Sequence, residues 1–185
     1  MPRLRLPLVA ERLTLRPFRA EDVDGMYAYQ RLPEVARHLY RPPRTRERCA
    51  EVIAESRPDL DWETDGDLLA IAVCRADRPG VLGELMLRLE NARARQFEVG
   101  WVFHPGHRGQ GYATEAARAL TVAAFEQLGA HRIFARLDTG NTASVRLCER
   151  LGMRREAHLV ENDLDLEGRW GSEYVYALLE RELPR

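Results

Sequence analysis

Lysine is absent from the chain, and all 28 of its basic residues are arginine. A phosphate loop of the Walker type needs a lysine on the terminal phosphates, so that class of nucleotide site is excluded. Cysteine is scarce. Cys49, Cys74 and Cys148 lie far apart with no CxxC pair, which supports neither a disulfide framework nor a zinc site. They read as small buried hydrophobes of a reducing compartment. No apolar run approaches the roughly 20 residues that span a bilayer, and the opening MPRLRLPLVAERL has no long apolar stretch or small-residue cleavage site. A net charge of −1 offers no concentrated basic surface for nucleic acid. The expectation is a soluble cytoplasmic protein with no membrane or nucleic-acid partner, in which any anion is gripped locally.

With 185 residues and 45% hydrophobic content, the chain has enough material for one domain with a core, taken as 1–185. LTLRPF (13–18) alternates as a strand, and EDVDGMYAYQ (21–30) carries Val23, Met26 and Tyr27 at helical spacing. Pro33 opens a short helical piece. Thr45 is placed to cap a helix bearing Cys49, Val52 and Ile53 on one face, which Pro58 ends. DLDWETDGD (59–67) reads as a loop. From residue 68 the period drops to 2, and LLAIAVC, VLGELMLRL and QFEVGWVF predict three successive antiparallel strands. A helix from about Ala113 to Leu128 closed by Gly129, a strand at 131–138, a helix at 141–151 capped by Asn141, and two final strands complete the order. The predicted class is α+β: a mixed, mostly antiparallel twisted sheet of six to seven strands with helices on both faces. The strands at 97–103 and 133–138 are made parallel by the helical crossover between them.

The segment HRGQGYATEAARAL (107–120) joins a strand to a helix through two glycines. Such a turn aims unpaired N–H groups at one point where the helix dipole also favours negative charge, so it is an anion site. Gly109 and Gly111 let phosphate oxygens approach the backbone, and Arg108 with His107 adds donors. A dinucleotide fold would place a third glycine where Thr114 stands, and its strand would open the chain instead of following two hairpins; Asp138 is a tolerable ribose-binding acid but lies somewhat far on.

Arg108-Gly109-Gln110-Gly111-Tyr112-Ala113 resembles the (Q/R)xxGx(G/A) signature of the GNAT superfamily of N-acetyltransferases. LTLRPFRAEDVDGMY, EVGWVFHP and NTASVRLCERLGMRREA are similar, in order, to the opening, the central strand and the second block of the branch containing the ribosomal-protein N-terminal acetyltransferases. The resemblance covers nearly the whole chain. It implies that acetyl-CoA is the cosubstrate and that backbone groups of Val99 to Phe103, Trp101 and Val102 included, take the pantetheine arm. Arg108, Gly109, Gln110, Gly111, Tyr112, Ala113 and Thr114 would then hold the pyrophosphate, with Asn141 and Ser144 on the cofactor side.

Acetyl transfer to an amine needs a neutral nitrogen, a stabilised oxyanion and a proton for the departing thiolate. Ser144 lies on the apolar stripe of its helix with Leu147, Cys148 and Leu151, so it needs a partner, which is either a carbonyl one turn back or the CoA sulfur. The resemblance implies the second and makes Ser144 the acid; Tyr176 is a rival. Glu98 is expected as the base, beside Gly100 in the acceptor channel, with Glu84 or a water relay as alternatives. Glu161, Asp163, Asp165 and Glu167 are expected in a loop between the last strands, either as a solvated hairpin or as an attractor of cationic amines. His104 and His107 have an HxxH spacing but no third ligand, so no metal is expected. Cys148 lacks a histidine to activate it as an acyl carrier. The function read is direct N-acetyl transfer from acetyl-CoA to a primary amine, of a peptide or a small molecule. The alternatives are a non-catalytic acyl-CoA-binding module and, after it, a dinucleotide-binding protein. A homodimer is compatible with this reading. The acceptor is not legible.

Overall fold

The computed structural model describes residues 3–183. Two short strands, β1 (Leu8–Val9) and β2 (Leu13–Pro17), precede helices α1 (Val23–Gln30), α2 (Pro33–Ala36) and α3 (Arg46–Ala54). The meander β3 (Leu68–Arg75), β4 (Val81–Asn91) and β5 (Gln96–Phe103) follows. Helix α4 (Tyr112–Leu128), strand β6 (Arg132–Asp138), helix α5 (Thr142–Arg150) and strands β7 (Arg154–Leu164) and β8 (Trp170–Leu179) complete the chain. The eight strands among the described residues form one sheet in the order β1-β2-β3-β4-β5-β6-β8-β7. The expected six to seven strands become eight because β1 has only two residues, too few to show a period, and pairs Leu8 with Leu15.

The local chemistry that sets the helices is the chemistry the sequence offers. Thr45 accepts the Arg48 N–H and caps α3, and Asn141 accepts the Ser144 N–H at 3.1 Å and caps α5. The two sheet faces are separately covered. On one, α4 lays Ala116, Ala117, Leu120 and Ala124, all without exposure, against Leu85, Leu87, Phe97 and Val99. Its small side chains bring the helix axis close to the strands. On the other, Met26 and Tyr29 of α1 and Cys49 and Ile53 of α3 bury Ala72 and Cys74. No helix among the described residues is long and apolar enough to cross a membrane.

Two neighbouring strands of this sheet part along their length. Strands β5 and β6 are parallel neighbours only over Gln96–Glu98 and Arg132–Phe134. Beyond that, β5 stays with β4 up to Phe103 opposite Gly83, and β6 stays with β8 up to Asp138 opposite Glu173. The two strands part in a V. Among the described residues, the edge of β5 from Val99 to Phe103 is left without a strand partner, so main-chain groups along it are open to a ligand.

Candidate active site

The mouth of the V leads into the glycine turn. His104 follows β5 and accepts the Gly106 N–H at 3.0 Å, capping a 3₁₀ turn at Pro105–His107. This local bond occupies one nitrogen of the first histidine of the HxxH pair. Gly109 and Gly111 then adopt φ of 76° and 79°, a region that costs an L side chain about 1–2 kcal/mol. Gly111 is the N-cap of α4 and supplies no side-chain acceptor, so the first N–H groups of the helix stay available at its positive end. Arg12 fixes the turn from β2's side: it donates to the Gln110 carbonyl at 3.0 Å and to both oxygens of Glu115 through its N–H (2.7 Å) and Nε (2.8 Å). Its guanidinium also stacks 4.8 Å over the Tyr112 ring.

A cleft of about 800 Å³ fills the V. It is lined by Trp101, Val102 and Phe103 of β5, by the turn and first residues of α4 at Arg108, Gly109, Gly111, Tyr112, Ala113 and Thr114, and by Asn141, Ser144 and Arg150 around α5. The structure therefore collects nearly all of the expected cofactor set in one place. Two members stand apart. Val99 is buried beneath the cleft in the main core, and Gln110 points its carbonyl at Arg12. The volume and the mix of apolar wall with a few polar groups suit an organic ligand carrying phosphates.

Ser144 is half-buried at the cleft wall, and its Oγ accepts a hydrogen bond from Trp101 Nε1 at 3.0 Å. The partner lies across the cleft on β5, not one turn back along α5. With a lone pair so engaged, the hydroxyl proton is left to donate.

The base candidates sit elsewhere. Glu98 lies in the part of β5 that is still sandwiched, opposite Arg88 on β4 and Phe134 on β6, and is not a cleft-lining residue. Burial, then the Glu90 carboxylate, pushes its acid above the ordinary value. The space that Gly100 was expected to leave is taken by the Met86 methyl, which a Cβ there would meet at 3.1 Å. Glu84 is 8% exposed and belongs to the opposite face, where it accepts from Tyr29 Oη and Gln30 Nε2, both at 2.8 Å, with Arg44 at 3.6 Å. It too is not a lining residue. Tyr176 packs in the core, and burial raises its hydroxyl.

One further expectation changes. Glu161 and Asp163 stand in β7 and not in a loop, because the hairpin turn is tighter than composition implied. Asp165 accepts the N–H groups of Glu167 and Arg169 and pairs with the Arg169 side chain, which also holds Glu167. Cys148 has no exposure, and burial pushes its thiol up to about 12, so it stays protonated. Among the described residues no three His, Cys, Asp or Glu side chains group as they would around a metal.

Sequence reasoning missed Arg12 and Arg150, whose Nε donates to Thr114 Oγ1 at 3.1 Å. It also missed the wall formed by α2 and the segment after it, with Glu34, Arg37, His38 and Leu39. Spacing gave no signal for contacts of this range: Arg12 and Glu115 are 103 positions apart.

Residues 12–154 match the family described as Acetyltransferase (GNAT) domain. The chain is 33% identical over 176 residues to the uncharacterized N-acetyltransferase p20 of Bacillus licheniformis, covering 95% of this chain and 97% of that one. Its fold is similar to a GNAT-family acetyltransferase from Bacillus anthracis, with TM-score 0.84, 28% identity, and coverage of 96% and 100%. It is also similar to a spermidine N-acetyltransferase from Vibrio cholerae solved in complex with CoA and spermine, with TM-score 0.78, 22% identity, and coverage of 92% and 97%. Together with a cleft whose glycine turn, open strand edge and helix terminus suit a nucleotide thioester, these likenesses have one reading: the chain belongs to the GNAT family of N-acetyltransferases, which draw their acetyl group from acetyl-CoA.

Proposed function

We propose that the protein transfers the acetyl group of acetyl-CoA directly to a primary amine, with Ser144 protonating the departing thiolate. The observation that carries this is the convergence, in one cleft, of the unpartnered β5 edge, the Gly109 to Gly111 turn at the start of α4, and the Trp101–Ser144 hydrogen bond.

Each part has a role that follows from its chemistry. N–H groups at the start of α4 neutralise pyrophosphate oxygens, with Arg108 and Arg150 contributing side-chain charge at the same wall. The free groups of β5 pair with the amides of the pantetheine arm as a strand would, which fixes the thioester at the V. One β5 N–H stabilises the oxyanion as the amine adds. Ser144, held by Trp101, gives its proton to sulfur when the C–S bond breaks. The buried and protonated Cys148 takes no part, so no acyl-enzyme forms. The acceptor class is a primary amine, a peptide N-terminus or a small polyamine; the CoA and spermine bound together in the Vibrio cholerae relative support the second kind.

The test is thiol release from acetyl-CoA, measured over a panel including spermine, aminoglycosides, amino acids and peptides with free N-termini. Release with at least one of them is expected. Tight CoA binding with no release for any amine would instead mark an acyl-CoA-binding module without turnover.

A further inference from the structure

The cleft has a wall that no family signature in this sequence announces. His38, just after α2, is half-buried and lines it, and its Nδ1 lies 3.1 Å from Asp138 Oδ1 across 100 positions of sequence. Asp138 is the last residue of β6, on the arm of the V opposite β5. Its Oδ2 accepts the Tyr40 hydroxyl at 2.6 Å, and its Oδ1 also accepts the Gly140 N–H at 2.7 Å.

This geometry sets a tautomer. A carboxylate already taking an O–H and an N–H is an acceptor, so the imidazole nitrogen facing it carries the hydrogen. In the neutral ring Nε2 then keeps its lone pair. A base turned by a fixed carboxylate, itself locked by a hydroxyl, is the arrangement that activates nucleophiles in unrelated enzymes. Burial, then the bond to Asp138, pushes the Tyr40 hydroxyl well above its ordinary value, which keeps it a donor. His38 faces Asp138, which Tyr40 also holds, and the other charged and titratable groups lining the cleft with it are Glu34 of α2, Arg37 just after α2, His107 and Arg108 of the glycine turn, and Arg150 of α5. Glu98 and Glu84, the carboxylates that sequence offers as bases, line no part of the cleft.

We propose that His38 is the general base of the transfer, taking a proton from the acceptor nitrogen on Nε2, and that Asp138 and Tyr40 are positioning residues for it. The assignment rests on the acetyltransferase reading of the same cleft. As the N–C bond forms, the nitrogen loses one proton to His38. When the C–S bond breaks, its electron pair leaves on sulfur, which takes a proton from Ser144. The imidazolium releases its proton to water and Ser144 recovers one from water, so the net change moves a single proton from nitrogen to sulfur.

The experiment compares wild type, His38→Gln, His38→Ala, Asp138→Asn and Glu98→Gln, using acetyl-CoA and the amine that gives the fastest thiol release in the panel above. Melting temperature and CoA affinity by calorimetry check that each variant is folded and loaded. His38→Gln is expected to lose on the order of 10²-fold in kcat with KM for acetyl-CoA unchanged, and to lose the acid limb of the pH profile. Added imidazole should restore part of the rate to His38→Ala, which a structural role would not allow, and Asp138→Asn should lose kcat with KM for acetyl-CoA kept. A folded His38→Gln that keeps its rate and its acid limb overturns the assignment, as does a limb lost in Glu98→Gln and kept in His38→Gln. Wild type that binds CoA but releases no thiol with any amine overturns the activity, and this role with it.

Discussion

Replacing Ser144 by alanine separates a structural cost from a chemical one. The cap of α5 survives, because Asn141 accepts the backbone N–H of residue 144 and not its side chain. What is lost in the fold is one half-buried acceptor, the oxygen 3.0 Å from Trp101 Nε1, at about 1 kcal/mol. For a chain of this size that is a fall of about 2–4 °C in melting temperature. The chemical loss is far larger. A positioned general acid contributes about 10²–10⁴-fold, or about 2.7–5.4 kcal/mol of barrier at 1.36 kcal/mol per decade. The assay is thiol release at saturating acetyl-CoA and amine, alongside thermal melts and a Trp101→Phe control. That control removes the donor and leaves the Ser144 hydroxyl, so kcat is expected to fall less than about 10-fold, the worth of one ordinary hydrogen bond. If Ser144→Ala melts within the stated range and keeps full kcat, Ser144 is not the acid.

Other perturbations probe the frame around this site. Arg12→Ala unpins the Gln110 carbonyl and Glu115, and should raise KM for acetyl-CoA about 10-fold at unchanged kcat, since about 1.4 kcal/mol of turn order is lost. At Asp22, burial raises the carboxyl, and Arg16 at 2.6 Å with the Arg19 N–H more than offsets it, so its folded pKa lies below the ordinary one. The stabilisation is therefore complete above the ordinary carboxylate pKa and is lost as pH falls through the depressed folded value. Asp22→Asn should flatten the acid side of a stability-against-pH curve measured by denaturant melts. Native protein treated with iodoacetamide at pH 8 should leave Cys148 unmodified, as mass spectrometry would show, while the unfolded chain should label there.

Much of this architecture is readable from local rules. Thr45 and Asn141 are caps because their side chains reach an N–H three residues on, a relation written in adjacent positions. The parallel pairing of β5 and β6 follows from the crossover α4 that must join them. The glycine turn is visible because a strand, two glycines and an unbroken helical run lie in sequence. What escaped has a different physical origin. The two residues of β1 complete no period. Glu98 has the raised acid that burial on a strand implies, yet the strands part only after it, and alternation cannot tell where a ladder ends. Glu84 looks the same in sequence whether α1 covers it or not, and Tyr29 and Gln30 cover it. His38, Tyr40 and Asp138 meet across a range of about a hundred positions, which no period reports.

The proposed activity requires main-chain hydrogens of the turn leading into α4 to hold the pyrophosphate of acetyl-CoA. Calorimetric titration of the folded protein with acetyl-CoA and with CoA tests it most directly, in wild type and in Gly111→Val, where a side chain at φ 79° costs about 1–2 kcal/mol and distorts the turn. One site per chain is expected, with affinity about 10-fold weaker in the variant. A folded wild-type protein that takes up neither compound, or a Gly111→Val protein that binds both as well as wild type, would contradict it.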